Sequence, residues 1–226
     1  MKKIVFIEAE GVLFSFGDYV ANERRVKTFF EELINFCEKN KILLYVISGY
    51  HNKIAHEKFD KSFLKTMFDK KNFGCADEEY ISQKTKDDET LHRQKLEADP
   101  EFNDSYFKQV FIQKILKEKN ILPSDAVLLG DDIWVDGYYT TRFSKINFAI
   151  FEENVCDRGK SVERISGLAY FSLEFDSVKQ LIESFPVVDL GPLDRYVFEI
   201  MKKALVGDNL GSIIKKGLDK KNQKGQ

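Results

Sequence analysis

Short unbroken apolar runs alternate with stretches in which apolar residues recur every three or four positions. The first kind reads as strands buried on both faces, the second as amphipathic helices. Residues 3–7 are the first strand, and a loop with Gly17 and Asp18 follows. Val26, Phe29, Phe30, Leu33, Ile34 and Cys37 share helical spacing and predict a helix over 23–39. Residues 42–47 are a second buried strand. Two short helices are expected over 51–59 and 61–70, with Phe63, Met67 and Phe68 inward, and residues 72–75 as a third, brief strand. Order returns with a helix over 106–119 that carries Phe107, Val110, Phe111, Ile115 and Leu116 on one side. A turn at Pro123, Ser124 and Asp125 leads to strands over 126–129, 145–151 and 168–171, then to a helix over 174–185. Pro192 suits the first position of a last helix reaching about residue 206. Strands that alternate with helices argue for an α/β protein with a mainly parallel sheet between helical layers.

Composition refines this picture. A chain of 226 residues with 43% hydrophobic content, 20 Phe and 9 Tyr can fill the core of one domain, here expected over 1–206. Residues 76–104 carry ten acids against four bases and few large apolar groups. They predict a surface insert, read either as a cap over a site or as a solvated excursion. Residues 207–226 are Lys- and Gly-rich and read as a disordered basic tail. A net charge of −2 and a pI near 6.0 argue against nucleic acid as a partner. No apolar run approaches the roughly 18–20 residues of a membrane span, and no leader is expected because a strand begins almost at once. Cys37, Cys75 and Cys156 form no CxxC pair and read as reduced thiols of a cytoplasmic protein.

The candidate chemistry lies where the strands end, since loops at the carboxyl ends of parallel strands form the ligand crevice. The first strand ends at Glu8 and Glu10, the second at Ser48 and Gly49, and the fourth at Asp131 and Asp132 with Asp136 beyond. Strand stability does not call for acids there, and clustered carboxylates repel unless something positive lies between them, for which a hard cation with oxygen ligands is the natural candidate. No G-x-G-x-x-G follows the first strand and no P-loop is present, which sets nucleotide-binding motifs aside.

Three segments together resemble the haloacid dehalogenase-like (HAD) phosphohydrolases. Residues 4–14, IVFIEAEGVLF, are similar to that family's first motif, with glutamate in place of both aspartates. Residues 44–49, LYVISG, resemble the second, and residues 127–136, VLLGDDIWVD, the fourth. The resemblance covers about residues 3–151. It implies a three-layer Rossmann-like fold with a small cap or none, and phosphoryl transfer through an acyl-phosphate with Mg²⁺. By position, Glu8 would be the nucleophile and Glu10 the general acid/base. Ser48 and the Gly49 N–H would hold phosphate oxygens. The metal site would comprise Glu8, Glu10, Asp131 and Asp136. Lys108 is the choice for the lysine of the third motif, because Lys114 and Lys117 fall where the helix faces solvent.

In such a site a carboxylate nucleophile divides ester hydrolysis into two steps. A lysine and a cation neutralise the transferring phosphoryl group. Glutamate keeps the charge of aspartate but adds roughly 1.5 Å of reach and one rotatable bond. A misplacement of about 1 Å can cost on the order of 100-fold in rate. The expectation is therefore a Mg²⁺-dependent phosphate-ester site with attenuated or lost phosphatase activity, acting on a small phosphorylated molecule. The alternative is a non-catalytic HAD-fold protein that binds a phosphorylated ligand or a protein partner. A receiver-like phosphoacceptor would want an aspartate ending the third strand, where only Asp77 is near.

Overall fold

The structure is a computed structural model that describes residues 3–14, 23–49, 52–75, 104–152, 165–185, 191–193 and 195. Six strands form one sheet: β1 (Ile4–Glu8), β2 (Leu43–Ser48), β3 (Phe73–Cys75), β4 (Ala126–Gly130), β5 (Asn147–Phe151) and β6 (Ala169–Phe171). Their order is β3-β2-β1-β4-β5-β6, and every neighbouring pair is parallel. Among the described residues, the sheet is accompanied by the helices α1 (Glu23–Lys39), α2 (Asn52–Lys61), α3 (Leu64–Met67), α4 (Asp104–Lys119) and α5 (Phe175–Ser184). The architecture is the expected three-layer, Rossmann-like α/β sandwich.

Alternation along the strands sorts the core into two faces. Val5 and Ile7 of β1, Val46 of β2 and Leu129 of β4 share a buried cluster with Val26, Phe29, Phe30 and Leu33 of α1 and Val178 and Ile182 of α5. Phe36 of α1 meets Phe175 of α5 edge-on, with ring centroids 5.6 Å apart. The residues between them on the strands turn the other way. Phe6 lies 5.9 Å from Tyr45, and Tyr45 lies 6.5 Å from Phe111 of α4. All five residues of β1 are buried, as a central strand covered on both faces requires. Each large apolar side chain so buried contributes about 1.5–3 kcal/mol. Cys37 and Cys75 are both buried, and burial, with Glu38 adding to it, pushes the Cys37 thiol up to about 12.

Several boundaries depart from the sequence reading. The helix expected over 61–70 is one turn, Leu64–Met67, followed by a 3₁₀ turn at Lys70–Asn72. Phe68 is extended, and the Asp69 carboxylate accepts the Lys71 N–H at 3.0 Å, so a new cap starts where the helix was to continue. The strand expected from 145 begins at Asn147, because Lys145 is left-handed with φ 54°. After β4 the chain runs through two wide π-helical segments, Ile133–Tyr138 and Thr140–Ser144. Helices α1 and α4 close alike. Lys41 and Asn120 are left-handed, and the N–H groups of Ile42 and Ile121 reach back to the carbonyls of Cys37 and Leu116 at 2.8 and 2.9 Å.

The chain divides into two compact units, one of residues 1–164 and 168–188 and the other of 165–167 and 189–226. Within the second, Arg195 Nε donates to the Gly191 carbonyl at 3.1 Å. The acidic insert over 76–103, the side chain of Phe107, most of the helix expected over 192–206 and the tail over 207–226 lie outside the described residues. Among the described residues no helix is long and apolar enough to cross a membrane.

Candidate active site

Because all strands run one way, Glu8, Ser48 and Gly130 end β1, β2 and β4 at the same edge of the sheet. Strand β1 sits between β2 and β4, with crossovers departing to either side, and open α/β sheets bind ligands outside such a point.

Past β1 the chain makes a tight loop. Ala9 N–H still bonds the Ile47 carbonyl at 2.7 Å, as if the strand continued. The Leu13 and Phe14 N–H groups then return to the Ala9 carbonyl at 2.9 and 2.7 Å, and Gly11 N–H bonds the Phe14 carbonyl at 2.9 Å. Gly11 is left-handed with φ +79°, and a Cβ there would lie 2.0 Å from Asp131 Oδ2. Glycine is thus required twice, for its backbone and for the approach of Asp131 from the β4 loop. Val12 and Leu13 are buried and anchor the loop to the core.

Lys108 of α4 supplies the positive charge. Its ammonium lies 2.6 Å from Asp136 Oδ1 and 3.2 Å from Glu8 Oε1. Glu8, Lys108 and Asp136 are 3%, 4% and 1% exposed, so this is an interior ion cluster. Lys114 and Lys117 are exposed. Asp136 is fixed further by the N–H groups of Asp131 and Asp132, each 3.1 Å from Oδ2. Asp132 Oδ1 caps the turn by accepting the Val135 N–H at 2.9 Å. The Trp134 side chain lies outside the described residues.

The electrostatics follow from burial. Desolvation raises the Glu8 carboxyl well above the ordinary 4.5. Lys108 opposes that rise, and Asp136, Glu10 and Asp131 add to it. Desolvation also raises Glu10, held back chiefly by bonds from Ser48 and Gly49. For Lys108, burial works against the charge, but Asp136 and Glu8 outweigh it and the ammonium is held above its ordinary value.

Glu10 takes a position of its own. Ser48 Oγ donates to Glu10 Oε1 at 2.7 Å, and Gly49 N–H donates to Oε2 at 2.8 Å. Each carboxylate oxygen thus has one donor from the end of β2. Gly49 also borders the ion cluster, since a Cβ built there would sit 3.6 Å from Glu8 Oε1 and 3.8 Å from Lys108 Nζ.

The fold therefore brings Glu8, Glu10, Ser48, Gly49, Lys108 and Asp136 together, with Asp131 on Gly11 at the rim. One set of residues escaped the sequence reading. Gln109, beside Lys108, is buried; its Nε2 donates to Thr140 Oγ1 at 3.1 Å, and its Oε1 accepts from Ser144 Oγ at 2.7 Å. This polar pair of contacts locks α4, and with it Lys108, onto the segment that follows the one carrying Asp136. The i, i+4 spacing of Thr140 and Ser144 was the available signal.

The resemblance implies Mg²⁺, and the donor set tests that. Among the described residues no group of three or more His, Cys, Asp or Glu is arranged to hold a metal ion. Both Glu10 oxygens face donors, and Asp136 is taken by Lys108 and two N–H groups. Glu8 Oε2 is buried without a hydrogen-bond partner, and it is one hard oxygen where octahedral coordination asks for several. As placed, these side chains do not fit the ion.

No protein-family model, curated protein or solved structure matches this chain.

Proposed function

We propose that this crevice is a phosphate-ester site of the HAD phosphohydrolase type whose turnover is attenuated or lost. The convergence of Glu8, Lys108, Asp136, Ser48 and Gly49 at one sheet edge carries the reading. It combines a carboxylate, a buried cation and two anion donors, which is what phosphoryl transfer asks of a protein. In the full reaction a Glu8 oxygen would bond phosphorus as the ester P–O bond breaks, and Glu10 would protonate the leaving oxygen. Water, deprotonated by Glu10, would then attack the acyl-phosphate and release phosphate and the Glu8 carboxylate. Two features oppose efficient turnover. The Glu8 carboxyl holds its proton more tightly than an ordinary glutamate, which weakens it as a nucleophile. Glu10 faces the donors that would hold the phosphate instead of a leaving group.

The second of these observations favours an alternative, a HAD-fold protein that binds a phosphorylated ligand or a protein partner without turning it over. Hydrolysis of an aryl phosphate, with and without Mg²⁺, separates the two. Wild type should turn over weakly or not at all, while Glu8→Asp with Glu10→Asp should gain activity that Asp131→Asn removes. A folded double variant that stays silent would remove the hydrolase reading.

A further inference from the structure

We propose that Glu10 is an internal anion that fills this protein's own phosphate cradle, so that an external phosphate group binds only when residue 10 leaves. The inference rests on the phosphate-ester reading above and extends it to a self-inhibitory contact. Ser48 Oγ and Gly49 N–H each hold one oxygen of a single carboxylate, at 2.7 and 2.8 Å. Two donors presented to two oxygens of one anion would serve a phosphate group equally well. Ser48 is fully buried, whereas Gly49 is exposed and opens the cradle outward.

Glu10 competes well because it is tethered. The loop that carries it is tied to β2 through Ala9 N–H and the Ile47 carbonyl and closed on itself through Gly11 and Phe14. Its carboxylate therefore reaches the donors with little further loss of freedom, at a high effective concentration. Side-chain length matters as well. The extra methylene of glutamate adds about 1.5 Å of reach, which lets a residue on the β1 loop span to the end of β2. An aspartate at position 10 falls short of both donors and leaves the cradle open.

The test is binding of inorganic phosphate, followed by ³¹P NMR and calorimetry, to wild type, Glu10→Ala, Glu10→Asp and the double variant Glu10→Ala with Ser48→Ala. Both single variants should bind phosphate about tenfold or more tightly than wild type, because the competent fraction of cradles rises. Ser48→Ala should cancel the gain. Folded Glu10 variants that bind no better than wild type, or a gain that survives Ser48→Ala, would overturn the proposal. The two readings fail separately. Tighter phosphate binding beside a silent Asp double variant keeps the internal anion and removes the hydrolase. Turnover by that double variant without any gain in Glu10→Ala does the reverse.

Discussion

Glu8 ends a central strand with one oxygen facing Lys108 and the other, Oε2, buried without a hydrogen-bond partner. An acid whose pKa is raised by folding holds more protons folded than unfolded across the interval between its two values. Stability then falls as pH rises through that interval, and the proton-linked contribution is complete below the unfolded value. Glu8 and Glu10 are both raised from 4.5, so the window opens there and extends upward. Glu8→Gln removes the larger contribution. Thermal unfolding of the two proteins from about pH 8 to about pH 5 should show wild type gaining on the glutamine variant as acid is added. A constant difference would mean that Glu8 ionises as freely folded as unfolded. The positions of Glu8, Ser48 and Asp136 were legible in the sequence, because acids and small polar residues at or just past strand ends break an apolar pattern, whereas Lys108, inside a helix, was singled out only through the family resemblance. The bonds that Glu10 makes were not, since a side chain's partner is chosen by fractions of an ångström across segments 38 residues apart.

Helix α4 shows how far periodicity carries and where it stops. Phe111, Ile115 and Leu116 lie inward as their spacing predicts, and Ile112 joins them. The same inner side also buries Lys108 and Gln109, which a rule of apolar in and polar out assigns to solvent. The helix tolerates them because each has partners on the segment after β4. Helix α4 also approaches the edge strand β3 closely. A Cβ on Gly74 would lie 2.2 Å from Phe111 Cζ. Gly74→Ala should therefore cost about 1–3 kcal/mol in denaturant unfolding, as overpacked cores do. Gly49→Ala serves as the contrast, since its added methyl meets Glu8 and Lys108 at ordinary contact distances. Its cost should stay within about 0.5 kcal/mol. Equal losses for the two would show that the ring of Phe111 moves aside freely. Helices α1 and α4 end at Lys39 and Lys119, where the sequence pattern places their ends, although the left-handed closing residues are Lys41 and Asn120 where glycine is the usual signal.

Lys108 ties together three distant parts of the chain: the end of β1, helix α4 and the turn after β4. Lys108→Met keeps much of the packing but leaves Glu8 and Asp136 buried without their cation. The expected loss is about 3–5 kcal/mol near neutral pH, shrinking in acid as Glu8 takes up its proton. A loss below about 1 kcal/mol would place the cluster with weak surface pairs. The order β3-β2-β1-β4-β5-β6 is what lets one lysine reach both acids, since β1 and β4 are neighbours although more than a hundred residues separate them. The chain's own pattern determined the elements, the α/β class and the residues standing at the strand ends, because hydrophobic period and strand-end polarity are local properties. Strand order, the burial of Lys108 and Gln109, the wide turns that aim Asp136 and the seating of Glu10 on Ser48 and Gly49 were settled by folding. Each depends on long-range pairing and on side-chain reach, and neither is encoded in any short stretch of sequence.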